Sequence, residues 1–180
     1  MKTVTENDII HLLEWFAISH HKIKHDPLSK IERYTAQGED IFQKSTDSLD
    51  ITKYCIITSP DLYNTSTEDL GTKDYHDVLL FNFEVAKAIP RGEKIRRETQ
   101  DEARVIAHDI WRELLFYIQH RIPPFELPTS IMNLQKNPTQ GGAENITGYR
   151  FEITLKQRIE GVSYEYKPFS MTPEEADRWN

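Results

Sequence analysis

Apolar side chains recur three and four residues apart across residues 99–120, at Ala103, Ile106, Ala107, Ile110, Leu114, Leu115 and Ile118. That spacing predicts a helix burying one face. Thr99 followed by Glu102 reads as a capping box at its start. Asp101 and Glu102 suit the positive end of the helix dipole, His120 and Arg121 suit the negative end, and Pro123 and Pro124 prevent continuation. Arg104, Asp109, Arg112 and Glu113 fall on the polar face and form no catalytic arrangement. A shorter helix is predicted over residues 5–19. Ile9, Leu12, Leu13, Phe16 and Ala17 make its stripe, Trp15 lies at the stripe's edge, and Thr5 and Asp8 have capping spacing.

The period then changes to two. Residues 51–59, ITKYCIITS, are β-branched and aromatic and end at Pro60, which predicts a strand. In residues 76–89 Leu79, Phe81, Phe83 and Val85 alternate with Leu80, Asn82 and Glu84, giving a strand with one apolar and one mostly polar face. In residues 148–159 Tyr149, Phe151, Ile153 and Leu155 alternate with Arg150, Glu152, Thr154 and Lys156, a strand with one core face and one wet face. Residues 30–35 suggest a short strand, Gly38 a break, and the Ser/Thr/Asp cluster at 45–50 a turn. The polar residues 61–77 are expected to form a surface loop. Residues 122–147, with Pro123, Pro124, Pro128, Pro138, Gly141 and Gly142, are expected to be irregular apart from a short docking piece at Ile131, Met132 and Leu134. In the tail, Thr172, Pro173, Glu174 and Glu175 look like a helix start, and Trp179 has no core to join unless the tail folds back or meets another chain. The expected fold is α+β, an antiparallel sheet covered by two main helices, with long loops and an extended C-terminal segment. Residues 1–166 form one domain and residues 167–180 an interaction arm.

Charge narrows the function classes. The chain has 180 residues, 38% hydrophobic and 28% charged, which suits a modest core and surfaces completed by partners. A net charge of −7 argues against a general nucleic-acid binder, which needs cations to displace counterions. Lys87, Arg91, Lys94, Arg96 and Arg97 cluster in sequence and read as a solvated stretch before a helix. Cys55, the single cysteine, sits in an apolar run and reads as a small buried hydrophobe. With no disulfide and no signal peptide in the sequence, a reduced cytoplasmic setting is expected. No apolar run approaches the ~20 residues that span a bilayer.

Chemistry-bearing residues are few. His20, His21 and His25, with Asp26 and His11 nearby, invite a metal reading. They lack the His-Glu-x-x-His arrangement, and Pro27 interrupts any helix that would align them. A polar helix end explains them more simply, and a small metal-dependent enzyme built on His20, His21 and His25 stays as the alternative. Gly141-Gly142 is not followed by the lysine and hydroxyl of a phosphate loop, and no nucleophile elbow occurs. No catalytic, cofactor-binding or metal-binding residue is assigned, and the protein is read as a non-enzyme. An adaptor whose acidic surface meets a basic partner is a further alternative.

The order of elements resembles the tail terminator and head-to-tail completion (neck) proteins of tailed bacteriophages. The likeness rests on the first helix ending in HHKIKHD, the strands KYCIITSP and VLLFNFEVAKAI, the helix DEARVIAHDIWRELLFYI and the run NITGYRFEITLKQ. It implies a virion structural protein, assembled in the host cytoplasm, that forms a six-fold ring with head-to-tail contacts. Its implied partners are copies of itself and the adjacent neck and tail-tube proteins. DNA would only pass through the lumen, and no membrane is involved. Ile131, Met132, Phe169, Met171 and Trp179 would supply apolar side chains for neighbours to cover.

Overall fold

Thr5 takes up extended backbone, accepts the Asp8 N–H on its hydroxyl and gives its own N–H to the Asp8 carboxylate at 2.8 Å. This capping box starts α1 (Glu6–Ser19), whose buried residues are Ile9, Leu12, Leu13, Phe16 and Ala17. The computed structural model describes residues 4–36, 49–58, 64–69, 75–90, 93–141 and 145–158. After α1 a short 3₁₀ turn (Pro27–Ser29) leads to β1 (Tyr34–Ala36), followed by β2 (Cys55–Thr58), β3 (Asn64–Asp69) and β4 (Tyr75–Ala88). The chain continues through α2 (Glu93–Gln119), β5 (Thr129–Gly141) and β6 (Ile146–Arg158).

The architecture is α+β, one open mixed sheet and two helices. Its strand order is β1-β2-β4-β6-β5, with β3 also paired to β4. β4 is the organising strand. One of its edges pairs with β6 from His76↔Arg158 to Ala88↔Ile146. The other is shared by β3, opposite residues 75–80, and β2, opposite residues 84–86. The register puts Leu79, Phe81, Phe83 and Val85 on the same face as Leu155, Ile153, Phe151 and Tyr149. That face carries the main core with both helices, and α2 contributes Ala103, Ile106, Ala107, Ile110, Trp111, Leu114 and Ile118. Phe83 and Phe151 stack there at 5.2 Å, a geometry worth about 0.5–1.5 kcal/mol beyond their burial. The opposite face carries Asn82, Glu84, Arg150, Glu152 and Thr154, with a small satellite cluster of Cys55, Ala86 and Ile146.

Several expectations need correction. The sheet is not wholly antiparallel, because β1 pairs with β2 in parallel. α2 starts at Glu93, not at Thr99, which lies within the helix at 7% exposure and cannot cap it. Glu102, assigned to the same box, instead accepts the Tyr54 hydroxyl at 2.6 Å. The extra turns, Glu93 to Glu98, consist largely of good helix formers, and exposed Lys94, Ile95 and Arg97 add no buried stripe by which to see them. At the other end Arg121 adopts left-handed backbone with φ 52°, and Ile122 N–H reaches Tyr117 O at 2.9 Å, a Schellman-type closure. Residues 61–77 do not form only a loop, since residues 64–69 are β3. They contain no apolar residue, so a period-two signal had nothing to mark. Residues 122–147 are not mainly irregular either. β5 pairs with β6 from Thr129↔Gln157 to Gly141↔Ile146, with a bulge between Ile131 and Asn133. Its polar composition fits a strand with one neighbour, and Pro138 is tolerable there because an edge strand need not donate on both sides. The strand expected over residues 30–35 is β1, displaced to Tyr34–Ala36. The break at Gly38, the turn cluster up to residue 48 and the arm 167–180 lie outside the described residues.

Candidate functional site

The first turns of α1 face the end of α2, and its last turn faces the middle of α2. Phe16 meets Tyr117 edge-on at 5.6 Å between them. This contact leaves a groove with two hollows. One, of about 470 Å³, lies among Asp8, Leu12, Trp15, Tyr117, Pro124 and Glu126. The other, of about 320 Å³, lies among Trp15, His20, Asp109, Arg112, Glu113 and Tyr117. Trp15 and Tyr117 line both. Trp15 remains 55% exposed although its indole is among the largest apolar groups in the chain, and Ile18 and Phe116 are 42% and 48% exposed. Trp15 falls just outside the α1 stripe, so the sequence hinted at it. The groove itself depends on how the two helices pack, which no local pattern carries.

The histidines separate. His20 Nε2 lies 3.7 Å from the Asp109 carboxylate, and its ring stacks on His21 at 4.9 Å. Burial, then the neighbouring His21, hold the His20 imidazole below its ordinary value, against the pull of Asp109. His25 is buried elsewhere. Its Nδ1 accepts the Arg33 N–H at 3.0 Å and its Nε2 faces Glu14 at 3.7 Å, so it braces the approach to β1. Arg33 also reaches the Asp50 carboxylate at 2.8 Å and the Ile23 carbonyl at 2.6 Å. Asp50, held below the usual carboxylate range by the Thr52 hydroxyl and by Arg33, completes that knot. Sequence proximity had suggested a shared site for His20, His21 and His25, and the chain sends them to two different places. Among the described residues no group of three or more His, Cys, Asp or Glu is arranged to hold a metal ion.

The lowered His20 value has a testable sign. A group depressed in the fold contributes stability above its unfolded value, near 6.5, that is lost as pH falls through the folded value. His108, edge-on to Phe151 at 5.1 Å, is lowered too, by burial first and then by Lys136, Arg104 and Arg112. The thermal midpoint of the wild type is therefore expected to fall more between pH 7.5 and pH 5.5 than that of His20→Gln. A variant that follows the wild type over this range would show that His20 does not contribute to the acid response.

Other expected features are placed as follows. Cys55 is buried, its thiol donates to Ala86 O at 3.4 Å, and burial, followed by Glu84, pushes it up to about 12. It is therefore a packed side chain, not a nucleophile. In the basic stretch Lys87 stands over the Tyr54 ring at 5.1 Å and Lys94 pairs loosely with Glu98 at 4.0 Å. Arg91 lies outside the described residues. Of the expected spare apolar side chains, Ile131 and Met132 are 40% and 53% exposed, and Phe169, Met171 and Trp179 lie outside the described residues. On the far face of the sheet the sequence did not signal an ion pair. Arg150 Nε and Nη2 lie 3.2 and 3.0 Å from Glu84 Oε2, and the Thr139 hydroxyl bonds Glu84 Oε1. Asn82 Nδ2 is buried beside it with no hydrogen-bond partner among the described residues.

The groove offers aromatic surface and an acidic rim. Ser19, which lines the hollow together with His20 and His21, donates its hydroxyl to Trp15 O at 2.8 Å. Comparison of the chain with protein-family models and with curated proteins returns no match.

Proposed function

We propose that the chain is a non-enzymatic structural subunit that joins copies of itself head to tail in a ring, at the neck or the head-proximal end of a bacteriophage tail. The supporting observation is the placement of spare apolar surface. The core is closed, with Phe81, Phe83, Phe125 and Phe151 at 0% exposure, yet large apolar side chains stay in water: Trp15 at the helix groove, Ile95 at the start of α2, Ile131 and Met132 on the β5 edge, and also Ile18, Leu28, Val105 and Phe116. Unlike apolar surfaces on one subunit favour heterologous contacts, which close into rings when the rotation permits. The net charge of −7 would let DNA pass a lumen without adhering. Neighbouring neck and tail-tube proteins would cover the two ends of the ring, and the assembled protein would belong to the virion. Among the described residues no helix is long and apolar enough to cross a membrane.

Light scattering after size exclusion, with negative-stain images of the same fractions, tests this. A ring of defined order, alone or on mixing with the portal-side or tail-tube partner, is expected. A protein that stays monomeric at every concentration and with both partners, or that carries stoichiometric metal, overturns the reading.

A further inference from the structure

We infer that the acidic aromatic groove between α1 and α2 receives the basic start of α2 from a second copy of this chain. This assigns the contact surfaces of the proposed ring and rests on that reading. The two surfaces sit at opposite ends of one helix. The groove is built on α2 residues 109–117 and on Glu126 beyond its end. The first two turns of α2 present Lys94, whose side chain is 90% exposed, Ile95 at 42% exposure, and Arg97. From Ile95 to Tyr117 the axis covers roughly 33 Å at about 1.5 Å per residue, so one copy cannot bring its own two surfaces together. A neighbour can.

The chemistry is complementary. The groove is lined by Asp8, Asp109, Glu113 and Glu126 against Arg112, which is already bonded to Asp109, and His11, His20 and His21 line it as well. Asp8 is committed to the Thr5 cap, which leaves Glu113 and Glu126, both exposed, as the free acidic rim. Trp15 and Tyr117 give aromatic faces on which a lysine or arginine is attracted by the ring quadrupole, and the hollow beside them accepts an isoleucine-sized group. Lys94, Ile95 and Arg97 supply cation, apolar side chain and cation in that order. Lys94 gives up a loose 4.0 Å exposed pair with Glu98 to do so, and Arg97 exchanges the interaction it already makes within its own copy. Because acceptor and donor surfaces differ, every copy keeps one of each free until the ring closes.

Charge reversal tests the contact with little risk to the fold. Lys94→Glu with Arg97→Glu places acids at a helix start, where the dipole favours them. Glu113→Lys with Glu126→Lys alters two exposed positions. Sedimentation velocity is run on the wild type, on each double variant and on their equimolar mixture. Each variant alone is expected to need at least about tenfold more protein to assemble, equivalent to roughly 1.4 kcal/mol. The mixture lets the two variants alternate, each reversed end meeting a reversed groove and each native end a native groove, and is expected to assemble as the wild type does. If the wild type forms rings and either variant forms them equally well, the contact lies elsewhere and this inference fails while the ring reading stands. If both variants lose assembly and the mixture does not regain it, the inference also fails. If the wild type itself never assembles, the ring reading fails and takes this contact with it.

Discussion

Gly148→Ala is expected to destabilise the protein by about 3 kcal/mol or more, a large effect for one added methyl group. Gly148 sits in β6 opposite Ala86 of β4 and Thr139 of β5. A Cβ built on its backbone would lie 2.2 Å from Val85 O, 2.9 Å from Ala86 Cα and 3.0 Å from Val85 C. All three neighbours are main chain in the central strand, so no rotamer change relieves the overlap. Relief requires β4 and β6 to part around Val85↔Tyr149 and Ala86↔Gly148, which breaks ladder hydrogen bonds at the middle of the sheet. In an ordinary strand the same substitution would stabilise by roughly 0.5–1 kcal/mol, because alanine loses less chain entropy than glycine on folding. The sign of the change in urea midpoint therefore decides the matter. A midpoint that rises in Gly148→Ala would mean that the close approach does not exist in solution. Asn137→Ala, on the exposed β5 edge, is the control and is expected to stay within about 0.5 kcal/mol.

The elements that could be read from the sequence are those in which a buried stripe and a start signal coincide. In α1 the capping pair Thr5–Asp8 and the stripe Ile9, Leu12, Leu13, Phe16, Ala17 agree, and the helix and its buried face follow from them. β4 and β6 alternate cleanly because one face of each packs under a helix. Elements without a repeating apolar side chain leave no such mark. β3 has no apolar residue, most of β5 is polar and contains Pro138, and the first six residues of α2 extend past the stripe. Their backbone hydrogen bonds, not their side chains, justify them, and backbone is the same in every sequence. The histidines show the opposite failure, since three rings close in sequence were pulled apart by the turn at Asp26–Lys30, which points His25 inward to Arg33 while His20 stays at the groove. Ile131 and Met132 were legible as spare because the run around them has too few apolar residues to need a core. Trp15 was half legible, at the edge of a stripe whose far side only tertiary packing defines.

Glu84 and Arg150 are 66 residues apart, so nothing local announced their pairing, yet it supports the second large expected effect. Arg150→Met is expected to cost about 3–5 kcal/mol, the range for removing one member of a buried pair. The magnitude follows from an asymmetry in burial. The Glu84 side chain is 6% exposed and that of Arg150 is 32% exposed. Without the guanidinium, the carboxylate keeps the Thr139 hydroxyl among the described residues and, at 6% exposure, little access to water. Glu84→Gln leaves the opposite remnant, an arginine that can turn toward solvent and a neutral amide that still accepts from Thr139, so a smaller loss of about 1–2 kcal/mol is expected. The double variant Glu84→Gln/Arg150→Met should be clearly less destabilised than the sum of the single variants, since the amide no longer needs a counter-charge. Urea unfolding of the three variants measures all of these quantities. Equal losses for the two single variants, or strict additivity in the double variant, would mean that Glu84 is solvated through the far face of the sheet and that the pair is ornamental to the fold. A loss concentrated in Arg150→Met would instead show that Glu84 depends on Arg150 for its compensation, so that this part of the sheet's far face is a closed polar layer and not a surface offered to neighbours.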